Sequence, residues 1–255
     1  MHVTLIVTTF NWPEALSLTL QSVLDQTTLP SKVIVADDGS SGETRSVVDN
    51  FSNELPIEYS WQPDSDFRAA RSRNLAVLKA EKGYLIFIDG DCLIPPTFIE
   101  SHIALAKQGK ILAGGRFLLD KGLTDQLLHS RLRDQINPFS SQKFSRLKLD
   151  PFRDLMATNW KMVRSCNFSL YFNDLIKVSG FDEQYIGWGR EDSDLIIRLL
   201  KVGLKIRSAR LAACVGHLHH RETTNTIRSL NENRFIEVLA GKPRLSKSTS
   251  VLMYK

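Results

Sequence analysis

Residues 84–88 form a wholly apolar run that stops at Asp89-Gly90-Asp91, two carboxylates separated by one glycine. Carboxylates at this spacing can both reach one hard cation or a ribose, and the glycine between them lets backbone approach a ligand closely. Asp and Gly are also common turn residues. Position favours a site, because two other apolar runs stop in polar clusters of their own, Thr8-Thr9-Phe10-Asn11 and Asp37-Asp38-Gly39-Ser40. Oxygen ligands suit Mg2+ or Mn2+, metals that commonly neutralise a pyrophosphate. Far along the chain, Val215-Gly216-His217-Leu218-His219-His220 offers imidazoles. A mixed carboxylate–imidazole set shifts the preference from Mg2+ toward Mn2+. The same histidines could equally form a hydrogen-bonded or solvated strand end.

Asp37 and Asp38 offer acceptors for ribose hydroxyls or the imide N–H of uracil, or else cap a strand-to-loop turn. The segment 66–74 puts Arg68, Arg71 and Arg73 near a predicted helix start, where guanidinium groups and helix amides both favour phosphate; a solvated basic face is the alternative. Gly187-Trp188-Gly189-Arg190-Glu191-Asp192-Ser193-Asp194 joins an aromatic platform to three acids. A Trp face stacks on the apolar face of a sugar, and one carboxylate near a reaction centre could take a proton from a hydroxyl. Acids here would also complement the dipole of a following helix, which leaves Gly-Trp-Gly unaccounted for.

These clusters need strands and helices to bring them together. Val3–Thr9 is a β-branched run. Leu16, Leu20, Val23 and Leu24 then fall on one helical face, with Asn11 as the expected N-cap and Pro13 in the first turn. Strands are predicted at 32–36, at Ile57–Trp61 and at 84–88, with a helix at 70–82 ended by Gly83. Strands alternating with helices, and apolar on both faces, predict a mostly parallel sheet covered on each side, with ligands bound beyond the carboxyl ends of the strands. After Gly114-Gly115 the pattern is less regular. A strand is predicted at 166–172, helices at 192–202 and 224–239, and a basic tail at 241–255. Between them, residues 131–153 hold six basic and two acidic residues interleaved with Phe139, Phe144 and Phe152.

The 255 residues are 42% hydrophobic and 24% charged, with 14 glycines and 9 prolines, which excludes collagen-like, coiled-coil and disordered chains. The 33 basic against 28 acidic residues give a formal charge of +5, a weak hint of an anionic partner. The apolar runs are strand-sized and far below the ~20 residues that cross a bilayer. Neither a signal peptide nor a membrane anchor is expected. Cys92, Cys166 and Cys214 lack CxxC spacing, so a reducing, cytoplasmic location fits better than a disulfide framework or a structural zinc site.

The ordered set Ile6-Val7-Thr8-Thr9-Phe10-Asn11, Asp37-Asp38-Gly39-Ser40 and Asp89-Gly90-Asp91 resembles the GT-A fold glycosyltransferases of family 2, the last being their DxD motif. Gly180-Phe181-Asp182-Glu183, Gly187-Trp188-Gly189 with Glu191-Asp192, and Val215-Gly216-His217 resemble the galactosyltransferase-type segment of chondroitin-polymerase-like and β-1,4-galactosyltransferase-like enzymes. The resemblance implies an α/β GT-A fold in which residues 1–115 bind a nucleotide sugar. Residues 116–221 would then form the acceptor-binding, catalytic half of the same domain, followed by a C-terminal helix and basic tail at 222–255. It implies that Thr8, Phe10 and Asp38 hold uridine, and that Arg73 faces the diphosphate or the sugar. It further implies that Asp89, with Gly90, touches the ribose or donor sugar, and that Asp91 and His217 ligate Mn2+, with Mg2+ as the alternative. Trp188, Gly189 and Glu191 would line the donor-sugar and acceptor pocket, with Asp192 as general base of an inverting transfer from a UDP-sugar. Many relatives carry glycine where this chain has Arg190, so a cation there is expected to alter sugar choice or to contact an acidic acceptor.

The implied acceptor is a saccharide or lipid-linked saccharide of cell-envelope polysaccharide, lipopolysaccharide or glycolipid assembly. Basic stretches at 131–153, 198–210 and 242–255 raise peripheral contact with an anionic membrane face, against the plainer reading of solubility. Competing classes are a retaining GT-A transferase and a non-catalytic nucleotide-sugar-binding module. A dinucleotide-dependent oxidoreductase would show GxGxxG where Thr8-Thr9-Phe10-Asn11-Trp12-Pro13 stands, and scattered basic residues without a recognition motif argue against nucleic acid.

Overall fold

A computed structural model describes residues 1–129, 138–139, 159–220 and 228–241. The first strands are Ile-, Val- and Leu-rich and buried on both faces, so they pair in parallel inside a layered α/β molecule. β1 (Val3–Thr9) pairs in parallel with β2 (Lys32–Asp37) and β4 (Tyr84–Asp89), and β2 with β3 (Ile57–Trp61). Beyond β4 the sheet becomes mixed. β8 (Asn167–Tyr171) runs antiparallel to β4 and to β6 (Lys110–Ala113), and β6 is parallel to β9 (Lys205–Ser208), giving the order β3-β2-β1-β4-β8-β6-β9. A second, three-stranded sheet, β5-β10-β7, joins β5 (Cys92–Leu93), β10 (Cys214–His217) and β7 (Gly115–Leu118). The sequence pattern did not indicate this sheet.

Alternate residues of β1, β2 and β4 feed two cores. Leu5, Val7, Val33, Val35, Ile86 and Ile88 pack with Leu16, Leu20 and Val23 of α1 (Pro13–Leu24) and with Phe98 and Ile99 of α4 (Phe98–Leu105). On the other face, Ile6, Ile34, Leu85 and Phe87 meet Ala76 and Val77 of α3 (Ala69–Lys79) and Leu195, Ile196 and Leu199 of α7 (Glu191–Lys201). Each such aliphatic side chain contributes roughly 1.5–3 kcal/mol on full burial, so both helix layers are held firmly against the strands that carry the polar clusters. Phe168 of β8 stacks on Phe87 with ring centroids 4.7 Å apart, which ties the antiparallel strand into the same core. The remaining helices are α2 (Gly42–Asn50), α5 (Lys121–His129), α6 (Phe172–Ile176) and α8 (Arg228–Leu239).

Several expectations shift. Trp12, not Asn11, is the N-cap of α1; Asn11 adopts φ 45° and its Oδ1 accepts the Ser41 amide, so its side chain braces the loop after β2. Helix α3 ends at Ala80, whose extended ψ of 145° stops it before Gly83. In the stretch 198–210, Arg198 and Arg207 are buried, with Arg198 paired to Asp194 at 2.7 Å, while Lys201, Lys205 and Arg210 are exposed. The stretch 131–153 apart from 138–139, and the basic residues Lys242, Arg244, Lys247 and Lys255, lie outside the described residues. Among the described residues no helix is long and apolar enough to cross a membrane.

Candidate active site

The parallel register sets three polar strand ends in one row. Thr8 stands opposite Ala36 on one side and Asp89 on the other, and Thr9 stands opposite Asp37. Asp37 serves the turn itself. Its Oδ1 accepts the amides of Gly39 and Ser40 at 3.0 and 2.7 Å, and its Oδ2 accepts the Tyr59 hydroxyl. Asp38 is also buried, with Gln62 Nε2 donating to Oδ1 and the Arg68 amide donating to Oδ2 at 2.7 Å. Burial raises its carboxyl above the usual range, although these donors favour the ionised form. Each oxygen keeps a second lone pair, so Asp38 can still accept one more donor. Exposed Phe10 flanks this row, and exposed Trp61 and Phe67 stand at the same edge. Trp61, at the end of β3, and Phe67 were not singled out from sequence. At Gly90 a Cβ would lie 3.0 Å from Thr9 Oγ1 and 3.1 Å from the Thr8 carbonyl, so the close approach to β1 already favours glycine there.

Arg73, expected to face the diphosphate or the sugar, lies among Thr8, Asp89 and Glu191. Only 3% exposed, it donates to Thr8 Oγ1 at 3.0 Å, Glu191 Oε1 at 3.0 Å and Asp89 Oδ1 at 3.1 Å. One buried cation thus links β1, β4 and the start of α7, and its neighbour Asn74 bonds both the amide and the carbonyl of Phe181 at 2.9 Å. Burial pushes the Glu191 carboxyl up to about 7, helped by the neighbouring Asp192 charge and opposed by Arg73. The folded carboxyl therefore holds its proton more tightly than the unfolded one. Its contribution to stability is full below about pH 4.5 and is lost as pH rises through about 7. Glu191→Gln should flatten this part of the profile of melting temperature against pH.

The strand ends of β4 and β10 bring the metal-ligand candidates together. Asp91 Oδ1 lies 3.5 Å from His217 Nε2, and Asp91 Oδ2 lies 3.5 Å from His220 Nε2. The three ligand atoms lie within 4.8 Å of one another. His217 Nδ1 sits 2.9 Å from the Leu218 carbonyl. A carbonyl can only accept, so Nδ1 carries the hydrogen and the Nε2 lone pair faces Asp91. Leu218 is wholly buried beside Leu93 and Leu119, and this anchor turns the chain so that His220 comes back to the site. His219 stays out of the cluster; its amide donates to Thr124. Burial, with the nearby Asp89 charge, holds the Asp91 carboxyl above its usual range against the pull of the two histidines. A cation would relieve that pressure, and the oxygen–nitrogen donor set fits a divalent metal. Sequence reasoning named His217 but did not separate His220 from His219.

The shape of the loop 187–190 follows from backbone sign. Gly187 and Gly189 adopt φ 83° and 99°, which glycine takes without strain, and the Gly187 amide donates to the Phe67 carbonyl at 2.8 Å. Trp188 between them is 49% exposed, and the space over Gly189 is open. Asp192 is half-buried at the first turn of α7; its Oδ2 accepts the Ser165 amide at 3.2 Å and its Oδ1 the Ser193 amide at 2.6 Å. Of the adjacent acids it is the accessible one, since Glu191 is buried against Arg73.

Arg190 also takes a left-handed φ of 78°, a conformation that disfavours side chains by about 1–2 kcal/mol. Its guanidinium grips Glu232 of α8 at 2.7 and 2.8 Å and lies over the Phe235 ring. Asn231 bonds the Gly187 carbonyl at 3.2 Å and Arg234 bonds Gln184, so one helix holds the whole loop. Glu232→Ala should speed amide exchange across 184–190 about tenfold, corresponding to ~1.4 kcal/mol of local stability, while leaving β1 and β4 protected; exchange mass spectrometry checks this.

Comparison with known proteins agrees with this geometry. Residues 4–178 match the model of glycosyl transferase family 2, and residues 155–222 match the model described as the N-terminal domain of galactosyltransferase. The chain is 31% identical over 251 residues to validoxylamine A glucosyltransferase of Streptomyces hygroscopicus subsp. limoneus, covering 91% of this chain and 55% of that protein. It is 25% identical to the chondroitin synthase of Escherichia coli, covering 93% of this chain and 38% of that protein. It therefore spans about half or less of the length of these relatives. The S. aureus TarS structure in complex with UDP superposes with a TM-score of 0.67 at 16% identity, over 94% of this chain and 65% of that one, which places the fold among the GT-A structures. The row of polar strand ends, the Asp91–histidine cluster and the match over residues 4–178 lead to one assignment: the chain belongs to glycosyl transferase family 2.

Proposed function

We propose that this chain is a glycosyltransferase that inverts configuration as it moves a hexose or N-acetylhexosamine from a UDP-sugar to a saccharide hydroxyl, with a bound divalent cation. The observation that carries the reading is the meeting of Asp91 with His217 and His220 beside the row of Thr8, Asp38 and Asp89. Thr8, Phe10 and Asp38 line the uridine, and the exposed Phe10 ring offers a stacking face. Asp91, His217 and His220 would hold the ion, their mixed donor set preferring Mn2+ to Mg2+. When bound, it supplies positive charge against the diphosphate as that group departs. Asp89, oriented by Arg73, accepts a hydroxyl of the ribose or donor sugar, and Glu191 fixes the other side of Arg73. Trp188 stacks on a sugar face, with open space at Gly189. Asp192 then takes the proton of the acceptor hydroxyl, which attacks the anomeric carbon opposite the departing UDP without a covalent enzyme intermediate.

On this reading residues 1–115 bind the donor, residues 116–221 bind the acceptor and carry the base, and residues 222–255 form the C-terminal helix and tail. A neighbour in complex with UDP supports the donor, and a chondroitin synthase among the relatives supports a saccharide acceptor, free or lipid-linked, in envelope polysaccharide assembly. The proposed location is the cytoplasm, with peripheral contact at the cytosolic membrane face. Proton NMR of freshly formed product tests the stereochemistry. An anomeric configuration opposite to the donor's is expected, and retention would overturn the role given to Asp192.

A further inference from the structure

Next to Ser165, whose amide holds Asp192, lies a small cavity of about 130 Å3 lined by Arg116, Arg164 and Arg210, with Cys166 and Asn167 among its other walls. At ~30 Å3 per liquid water it has room for one small anionic group with a water or two. All three arginines are exposed, and among the described residues none has a carboxylate partner within ion-pair distance. Three like charges around one small cavity repel each other, which an anion between them would relieve. Guanidinium forks match carboxylate and phosphate oxygens in a way that a lysine cluster would not.

Placement says which substrate would bring that anion. The sheet order puts the ends of β1 and β2, with the row of Thr8 and Asp38, on one side of β4, and β8, β6 and β9 on the other. The arginines belong to the second side: Arg164 precedes β8, Arg210 follows β9, and Arg116 lies in β7, next after β6. Ser165, whose amide holds Asp192 Oδ2 at 3.2 Å, sits between Arg164 and Cys166, both lining the cavity. Arg190, the cation expected to meet an acidic acceptor, is instead held by Glu232.

We propose that Arg116, Arg164 and Arg210 form a subsite for an anionic group, carboxylate or phosphate, carried by the acceptor saccharide close to the hydroxyl that reacts. This rests on the transferase reading of Asp192 and adds the chemical class of the acceptor.

The test uses three matched trisaccharide acceptors: one bearing a uronate, one a phosphate monoester and one neutral. Arg164 is left in place because it adjoins Ser165, and the probe variant is Arg116→Gln/Arg210→Gln, checked for wild-type melting and UDP affinity. Wild-type kcat/KM should favour one anionic acceptor over the neutral one at least tenfold, and the acceptor that wins distinguishes carboxylate from phosphate. The double variant should lose most of that ratio through KM. Equal use of charged and neutral acceptors, an unchanged ratio in the variant, or loss of UDP affinity would each overturn the subsite. Direct binding of the same glycans in the presence of UDP separates the two readings. Arginine-dependent anion selectivity without transfer would count against the role of Asp192 and leave the subsite standing, whereas transfer without selectivity would do the reverse.

Discussion

Asp192→Asn should lower sugar transfer by roughly 10^2- to 10^4-fold, the range that a positioned general base contributes, while UDP affinity stays at the wild-type level. The carboxylate is held by the Ser165 amide on one oxygen and the Ser193 amide on the other, so its accessible lone pairs have a fixed direction. Asparagine keeps the shape but has a single acceptor oxygen. One of those two amides would then face an NH2 group, and a modest loss of stability is expected beside the kinetic effect. Unchanged UDP affinity shows that the first-half site is intact and isolates the loss in the transfer step. Near-normal transfer by Asp192→Asn would remove the base from the account.

Asp91→Ala should abolish the response to divalent metal and reduce transfer by more than about 100-fold, since losing even an outer partner of a metal ligand costs roughly 10- to 100-fold. Metal chelation should reproduce that loss in the wild type. His220→Ala separates a three-residue ligand set from one built on Asp91 and His217 alone, and a rise of about 10-fold or more in the Mn2+ concentration giving half-maximal activity is expected. The apo fold should tolerate Asp91→Ala. The half-buried Asp91 carboxylate lies near the Asp89 charge and gains little without a cation, while its backbone carbonyl still accepts the Leu218 amide at 2.9 Å. A variant that transfers sugar with undiminished metal dependence would contradict the ligand assignment.

The first half of the chain was legible because its signals are local. Val3–Thr9 and Ile57–Trp61 are strands as read, and the apolar run at 84–88 extends one residue into Asp89, because buried parallel strands are continuous apolar runs that must end in polar residues where ligands bind. The polar ends at Thr8, Asp37 and Asp89 fall in one row because the parallel register leaves them no other place. What escaped was set by partners distant in sequence. The pairing of β5, β10 and β7 rests on strands of two to four residues, too short to show a period. The Arg73–Glu191 pair joins residues 118 apart in sequence, and the Arg190–Glu232 pair joins residues 42 apart, so neither pairing shows in a local pattern. His220 could not be told from His219 until Leu218 was seen to be an anchor in the core.

The most direct test of the whole account is UDP release from a panel of UDP-sugars, with and without Mn2+, using envelope glycolipids and saccharides as acceptors. The account predicts release from one UDP-hexose or UDP-N-acetylhexosamine that requires both Mn2+ and an acceptor, and that Asp91→Ala and Asp192→Asn each suppress. UDP binding with no release from any donor under any condition would contradict it and point to a module that holds a nucleotide sugar without transferring it.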